Sequence, residues 1–148
     1  MNQRSQITLA AEFESLAKFR AFIDDVCRGS LALDEDFRYD LKLAVDEACT
    51  NIITHGYAGM NPGSIILSLE ITPQQVCIAL TDFGHSFEPA ASPQPDLQAA
   101  LEDRETGGFG LFFIYQTMDE VDYETTEGGN QLTLIKRLPR PNTSSQES

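Results

Sequence analysis

Two neighbouring apolar runs constrain this chain most. "SIILSLEIT" places Ile65, Leu67, Leu69 and Ile71 on one face of a strand, because strand side chains alternate with a period of two. "VCIALTDF", Val76 to Phe83, has little polarity on either face, which predicts a central strand. Pro73 to Gln75 can turn the chain between the runs, so the pair is predicted to be an antiparallel hairpin.

The flanking segments supply the rest of the fold. "SQITLAAEF", Ser5 to Phe13, reads as a further strand. "ESLAKFRAFIDDVCRGS" repeats apolar residues at helical spacing (Leu16, Phe19, Ile23, Val26), with Gly29 as a stop. Asp34 is placed to cap a second helix running through "DFRYDLKLAVDEACTNIITHGY". Gly56, Gly59 and Pro62-Gly63 then mark a loop. Residues 84–107 carry prolines at 89, 93 and 95 and a weak helix, "DLQAALED". A connection this long in a small domain is a lid, a binding loop or a disordered stretch. "GFGLFFIYQTM" resumes a helical pattern, and "EVDYETTE", "GGN" and "QLTLIKRL" form a closing hairpin. This order predicts an α+β fold, a two-layer α/β sandwich with helices on one face of a mostly antiparallel sheet. One domain spans residues 1–138, and the polar tail over 139–148 is expected to be disordered.

Charge excludes some function classes. The chain has 148 residues, 10 Lys and Arg against 23 Asp and Glu, and a net charge of −13. It lacks the basic footprint that direct nucleic-acid binding needs. The longest apolar run, "GLFFIY", is far below a membrane span, and no early stretch reads as a signal peptide. The expectation is a cytoplasmic protein. Cys27, Cys49 and Cys77 fit neither a zinc site nor a disulfide framework and read as buried small hydrophobes. Arg104 is the only basic residue between Leu43 and Ile135, a stretch with fourteen acids.

On the second helix, Leu41, Val45, Ala48 and Ile52 form an apolar stripe, widened by Ala44, Cys49 and Ile53. Glu47, Asn51 and His55 fall four residues apart, partly away from that stripe. Such a step puts β-carbons about 5–6 Å apart. An acid and an amide oxygen so placed could hold a hydrated magnesium ion that shares phosphate oxygens, and the carboxylate could accept a proton. Polar residues on an exposed helix face are more often just solvated, and His55 alone reads as a helix-end or packing histidine.

A second cluster is "TGGFGLFF". A glycine-rich turn opening a helix offers free N–H groups to an anion, although glycine-rich stretches are also common in flexible loops. Arg104 sits just before it. The third is "DFGHSFEP". Its Asp-Phe-Gly triplet is not the protein-kinase metal site, because no strand lysine or His-Arg-Asp loop precedes it. Instead, Asp82 at a strand end can accept a hydrogen bond from an exocyclic amine such as adenine's, and Gly84 lets a ring lie against the backbone.

These segments, in this order, resemble the GHKL ATPase superfamily with its Bergerat-type ATP-binding fold, and most of all its anti-sigma-factor serine/threonine kinases. "AVDEACTNIITHGY" is similar to that group's asparagine box, "DFGHSFEP" to its first glycine box and "GGFGLFFI" to its second. The resemblance implies ATP and Mg²⁺ as cofactors, with Glu47 as general base and Asn51 as metal ligand. It implies nucleotide contacts from Asn51, His55, Asp82, Gly84 and Phe87, and phosphate contacts from Gly108, Gly110 and Leu111. Arg104 looks like the lid arginine that approaches the terminal phosphate. Thr133 is placed to support the adenine pocket, although the family's usual Gly-Thr reads here as Gly129-Asn130. The implied partners are a STAS-type antagonist protein or a sigma factor, and a second copy in a homodimer, with no nucleic acid and no membrane. The same pocket also suits a nucleotide-gated binding module without transfer activity. A histidine-kinase ATP domain would need a phospho-accepting helical domain for which this chain has no room.

Overall fold

The computed structural model describes residues 3–30, 32–86 and 108–139. Its five strands are β1 (Gln3–Ala10), β2 (Ser64–Ile71), β3 (Gln75–Asp82), β4 (Glu120–Thr126) and β5 (Gly129–Arg137). They form one sheet in the order β1-β2-β3-β5-β4, with every neighbouring pair antiparallel. The predicted hairpin is β2–β3, in register from Ile65↔Asp82 to Ile71↔Val76. β3 is the middle strand, as its low polarity requires.

Three α-helices occur among the described residues: α1 (Glu14–Cys27), α2 (Glu35–Asn51) and α3 (Gly108–Thr117). Asp34 caps α2, its side chain accepting from the Phe37 N–H at 2.9 Å. Strand parity then decides the layers. Ile65, Leu67 and Leu69 on β2, Ile78 and Leu80 on β3, and Leu132 and Leu134 on β5 are buried, while the residues between them are more exposed. Phe19 and Ile23 of α1, Leu41 and Val45 of α2, and Ile114 of α3 close over that face. Each fully buried side chain of this size is worth about 1.5–3 kcal/mol. The result is the expected two-layer α+β sandwich.

The helices have a defined direction. Lys136 of β5 pairs with Asp40 at 3.3 Å and lies 5.3 Å from the Phe37 ring centre, so α2 begins at the Gln75 end of the sheet. The same ammonium donates to the Thr117 carbonyl at 3.1 Å, which ties the C-terminus of α3 to that end. Because α3 packs along α2, its N-terminus points to the opposite end, where β3 finishes at Asp82.

α2 does not simply end. Ile52–Gly56 continue it as one wider turn, closed by the Tyr57 N–H to the Ile52 carbonyl at 3.0 Å. The expected helix through Tyr57 therefore changes pitch just after Asn51. Phe87, Arg104, the "DLQAALED" segment and the tail beyond 139 lie outside the described residues.

Candidate functional site

The C-terminal end of α2, the following wide turn and the end of β3 meet at one end of the sheet. The Cys49 thiol is pushed up first by burial and then by the Asp46 and Asp82 charges, so Cys49 is an inert core group. Glu47 is half-buried. Its carboxyl is pushed above the usual glutamate range, first by burial and then by the neighbouring Asp46 charge. Arg20 of α1 pairs with Asp46, reaching its two oxygens at 2.8 and 2.9 Å.

Asn51 is only 5% exposed, and its Nδ2 is the one buried side-chain polar atom without a partner among the described residues. An unsatisfied buried amide costs roughly 1–3 kcal/mol, so its retention points to an acceptor supplied from beyond the described residues, such as a ligand. A phosphate oxygen fits Nδ2, and a hard cation fits the amide oxygen of the same group. No group of three His, Cys, Asp or Glu suited to a metal occurs among the described residues, so a cation here would rely on Asn51 and a ligand's own oxygens. His55 lies in the wide turn, half-buried. A turn with i→i+5 bonding takes more residues per revolution, so His55 falls short of the position directly beyond Asn51.

Asp82 is 2% exposed. Its Oδ1 accepts from the Gly84 N–H at 2.9 Å and from Asn130 Nδ2 at 3.0 Å. The chain after it is clamped onto the wide turn. Tyr57 accepts through its hydroxyl from the Phe83 N–H at 2.9 Å and donates to the Ser64 carbonyl at 2.8 Å. The His85 N–H donates to the Gly56 carbonyl, and its Nε2 lies 3.0 Å from the Ala58 carbonyl. Gly84 is required by contact. A β-carbon there would sit 2.2 Å from the Gly56 oxygen and 2.6 Å from its carbon. Gly84→Ala should therefore lower stability by roughly 1–3 kcal/mol. Gly128→Ala, whose added carbon would meet only Thr126 Oγ1 at 3.7 Å, should change stability little. A pair of thermal melts checks this, and equal midpoints would show that the loop yields freely.

A cleft of about 350 Å³ is lined by Phe83, Gly84, Ser86, Thr126, Glu127 and Asn130, among others; Asp82, Glu47 and Asn51 do not line it. Gly108 and Gly110 lie in the first turn of α3, where backbone N–H groups have no helical partner, and Leu111 follows them. Thr133 does not join the group. It pairs with Ala79 and Asp122 on the sheet face away from the helices, three positions from Asn130. Asn130 is the residue opposite Asp82. The sequence reading notes Asn130 only as the departure from the family's usual Gly-Thr and does not name the Tyr57 clamp. Parity was the available signal for the first, since Leu132 and Leu134 mark the inward face and Asn130 shares it.

Residues 9–136 match the histidine kinase-like ATPase domain, and the chain belongs to that family. Among similar proteins, the serine/threonine-protein kinase BtrW of Bordetella bronchiseptica is 34% identical over 97 residues, 66% of this chain and 68% of that protein. The serine-protein kinase RsbW of Halalkalibacterium halodurans is 31% identical over 139 residues, 91% of this chain and 83% of the relative. The anti-sigma F factor of Clostridium beijerinckii is 32% identical over 98 residues, 66% and 68% of the two chains. The fold is the α+β architecture of a GHKL ATPase domain. No helix among the described residues is long and apolar enough to cross a membrane.

Proposed function

We propose that the chain is an ATP-dependent serine/threonine kinase of the partner-switching type, acting on a small STAS-type antagonist protein. The observation that carries the reading is Asn51, whose buried, unpartnered amide sits one turn after a half-buried carboxylate with a raised proton affinity. The names of the relatives support the class, two as protein kinases and one as an anti-sigma factor.

In this reading Asp82 receives the adenine amine. The N-terminal turn of α3, with Gly108 and Gly110, receives phosphate oxygens at its free N–H groups. Asn51 would hold the Mg²⁺ ion, which when bound neutralises charge on the phosphates. Glu47 takes the proton from the substrate hydroxyl as it attacks. Burial suits this role, because a base with raised proton affinity binds that proton more strongly. Arg104 approaches the terminal phosphate, adding a charge-assisted contact. Most of the acceleration comes from positioning and from this array of positive potential.

The anti-sigma names also favour a second reading, in which nucleotide only gates the docking of a sigma factor or another regulator. One experiment separates the two. The chain is used to recover partners with Mg-ATP or Mg-ADP, and recovered proteins are mapped for phosphoserine and phosphothreonine. Phosphate on a recovered partner, dependent on ATP, supports the kinase. Partner affinity that switches with nucleotide, with no phosphate transferred, favours the gated module.

A further inference from the structure

We propose that the cleft at the β4–β5 turn is a docking site for an arginine side chain presented by a partner protein. None of Glu47, Asn51 and Asp82 lines it, so the proposal goes beyond the nucleotide reading and does not rest on it.

Strand parity sets this cleft apart from the Asp82 carboxylate. Asp82 and Asn130 pair across β3 and β5 and are buried on the face that the helices cover. Phe83 and Gly129 have the opposite parity, that of Thr81 and Thr133 on the face away from the helices. A β-carbon on Gly129 would lie 3.0 Å from the Phe83 ring, so one edge of the ring rests on glycine backbone. Much of the rest is bare, since Phe83 is 47% exposed. Glu127, exposed in the turn, lines the cleft with it.

The polar groups of the lining define the ligand, because most of their donors are already committed. The Thr125 hydroxyl donates to Asn130 Oδ1 at 3.2 Å, and the Thr126 hydroxyl to the Gly129 carbonyl at 3.3 Å. The Gly84 N–H is held by Asp82 Oδ1. Both Asn130 Nδ2 hydrogens are taken, one by Asp82 Oδ1 and one by the Gly84 carbonyl. What remains is the Glu127 carboxylate, a lone pair on Thr125 Oγ1 and the Ser86 hydroxyl. Such a lining holds an anion poorly and suits a group rich in donors. Guanidinium carries five N–H donors and no acceptor. Its planar cation also stacks on an aromatic face, whereas an ammonium is a compact, strongly hydrated point charge.

Charge points the same way. Neither Glu127 nor Glu124, which shares the Thr126 face of β4, has a cationic partner among the described residues. The cations of β5, Lys136 and Arg137, lie at the other end of that strand and pair with Asp40 and Glu120. Phe83 and Glu127 are both exposed, so a side chain can enter from another protein's surface with its backbone left outside.

The test is an NMR titration of the full chain with acetyl-Gly-Arg-Gly-amide, its citrulline and lysine counterparts, and free L-arginine. The arginine peptide should shift the amide signals of Phe83, Thr126 and Glu127 and bind more tightly than the other three. Citrulline keeps the shape without the charge, lysine keeps the charge without the plane, and the free amino acid adds a carboxylate that meets acceptors. Phe83→Leu keeps an apolar side chain but removes the ring, and should weaken the arginine peptide about 3- to 30-fold. Glu127→Gln should weaken it about 2- to 5-fold, the range for an exposed ion pair. Thermal melts without ligand establish that the variants fold, and the exposed Glu127 position decides if Phe83→Leu does not. ATP added afterwards should leave the peptide bound, because Asp82 faces the helices and the cleft does not. Displacement by ATP would put the nucleotide in the cleft and overturn the assignment. Absent shifts at the three residues, equal binding of the citrulline or lysine peptide, or an unchanged affinity in either folded variant would overturn it too. Free L-arginine that binds as tightly as the peptide would make this a small-molecule site and overturn the partner protein as its source.

Discussion

Glu47→Gln should reduce phosphate transfer to a recovered partner by about 10²–10⁴-fold, the usual contribution of a positioned general base, while ATP affinity changes only a few-fold. The substitution keeps size and hydrogen-bonding reach and removes only the proton acceptor. Asn51 is untouched, so whatever its buried amide holds is still held. Asn51→Ala should do the reverse and lose ATP binding together with transfer, because it deletes the group whose Nδ2 has no partner among the described residues. The pH dependence carries a second signature. Glu47 has a raised proton affinity caused first by burial and then by Asp46, so the acid limb of the wild-type rate profile should lie above the ordinary glutamate range. Only the ionised form accepts the proton, so the rate rises with pH through that limb, and the glutamine variant should lack it. Stability moves in the opposite sense. A carboxyl that binds its proton more tightly when folded favours the fold below its unfolded pKa and loses that advantage as pH rises through the folded one. At neutral pH the glutamine variant should therefore be as stable as wild type or more so. A variant that transfers phosphate at the normal rate would remove the general-base role. A variant that fails to bind ATP would show that Glu47 belongs to the binding machinery instead.

The layers of this fold were legible because strand and helix periods are local properties. Ile65, Leu67 and Leu69 announced one buried face by alternation, and the weak polarity of "VCIALTDF" announced the middle strand. Asp34 was readable as a cap because capping depends on one side chain and the N–H three residues on. Glu47 and Asn51 fell on one helix face by simple spacing. What stayed hidden depends on contacts distant in sequence. The change of pitch after Asn51 brings the Gly56 carbonyl against Gly84, twenty-eight residues later, a contact that no local propensity encodes. The Tyr57 hydroxyl bridges Ser64 and Phe83, which no periodicity reveals. Thr133 has the chemical type that a base pocket uses, but the strand turns it away from the helices. The buried position opposite Asp82 carries an amide rather than a hydroxyl. Parity along "NQLTL" puts Asn130 on the buried face with Leu132 and Leu134.

The Asp82→Asn variant should lose ATP affinity by about 10- to 100-fold and gain GTP affinity, shrinking or reversing the base preference. In the native chain Asp82 Oδ1 accepts from the Gly84 N–H and Asn130 Nδ2. A new amide can keep both bonds only by placing its oxygen there, since its NH₂ group would otherwise face two donors. That choice forces the NH₂ into the position of Oδ2, where the base is recognised. The adenine amine, a donor, then meets a donor. The guanine oxygen at the corresponding edge, an acceptor, meets a partner. The fold should tolerate the change, because the replacement is isosteric and the two inner bonds persist, so a stability shift within about 1 kcal/mol is expected. In a transfer assay the loss should fall on KM for ATP rather than on kcat. The base is bound remotely from the reacting phosphate, and uniform binding energy lowers KM without speeding the chemical step. Titrations with ATP and GTP on the folded variant decide the matter. Unchanged affinity for both nucleotides would mean that the base does not meet Asp82. An equal loss for both would mean that the substitution disturbed the Gly84 loop rather than the acceptor.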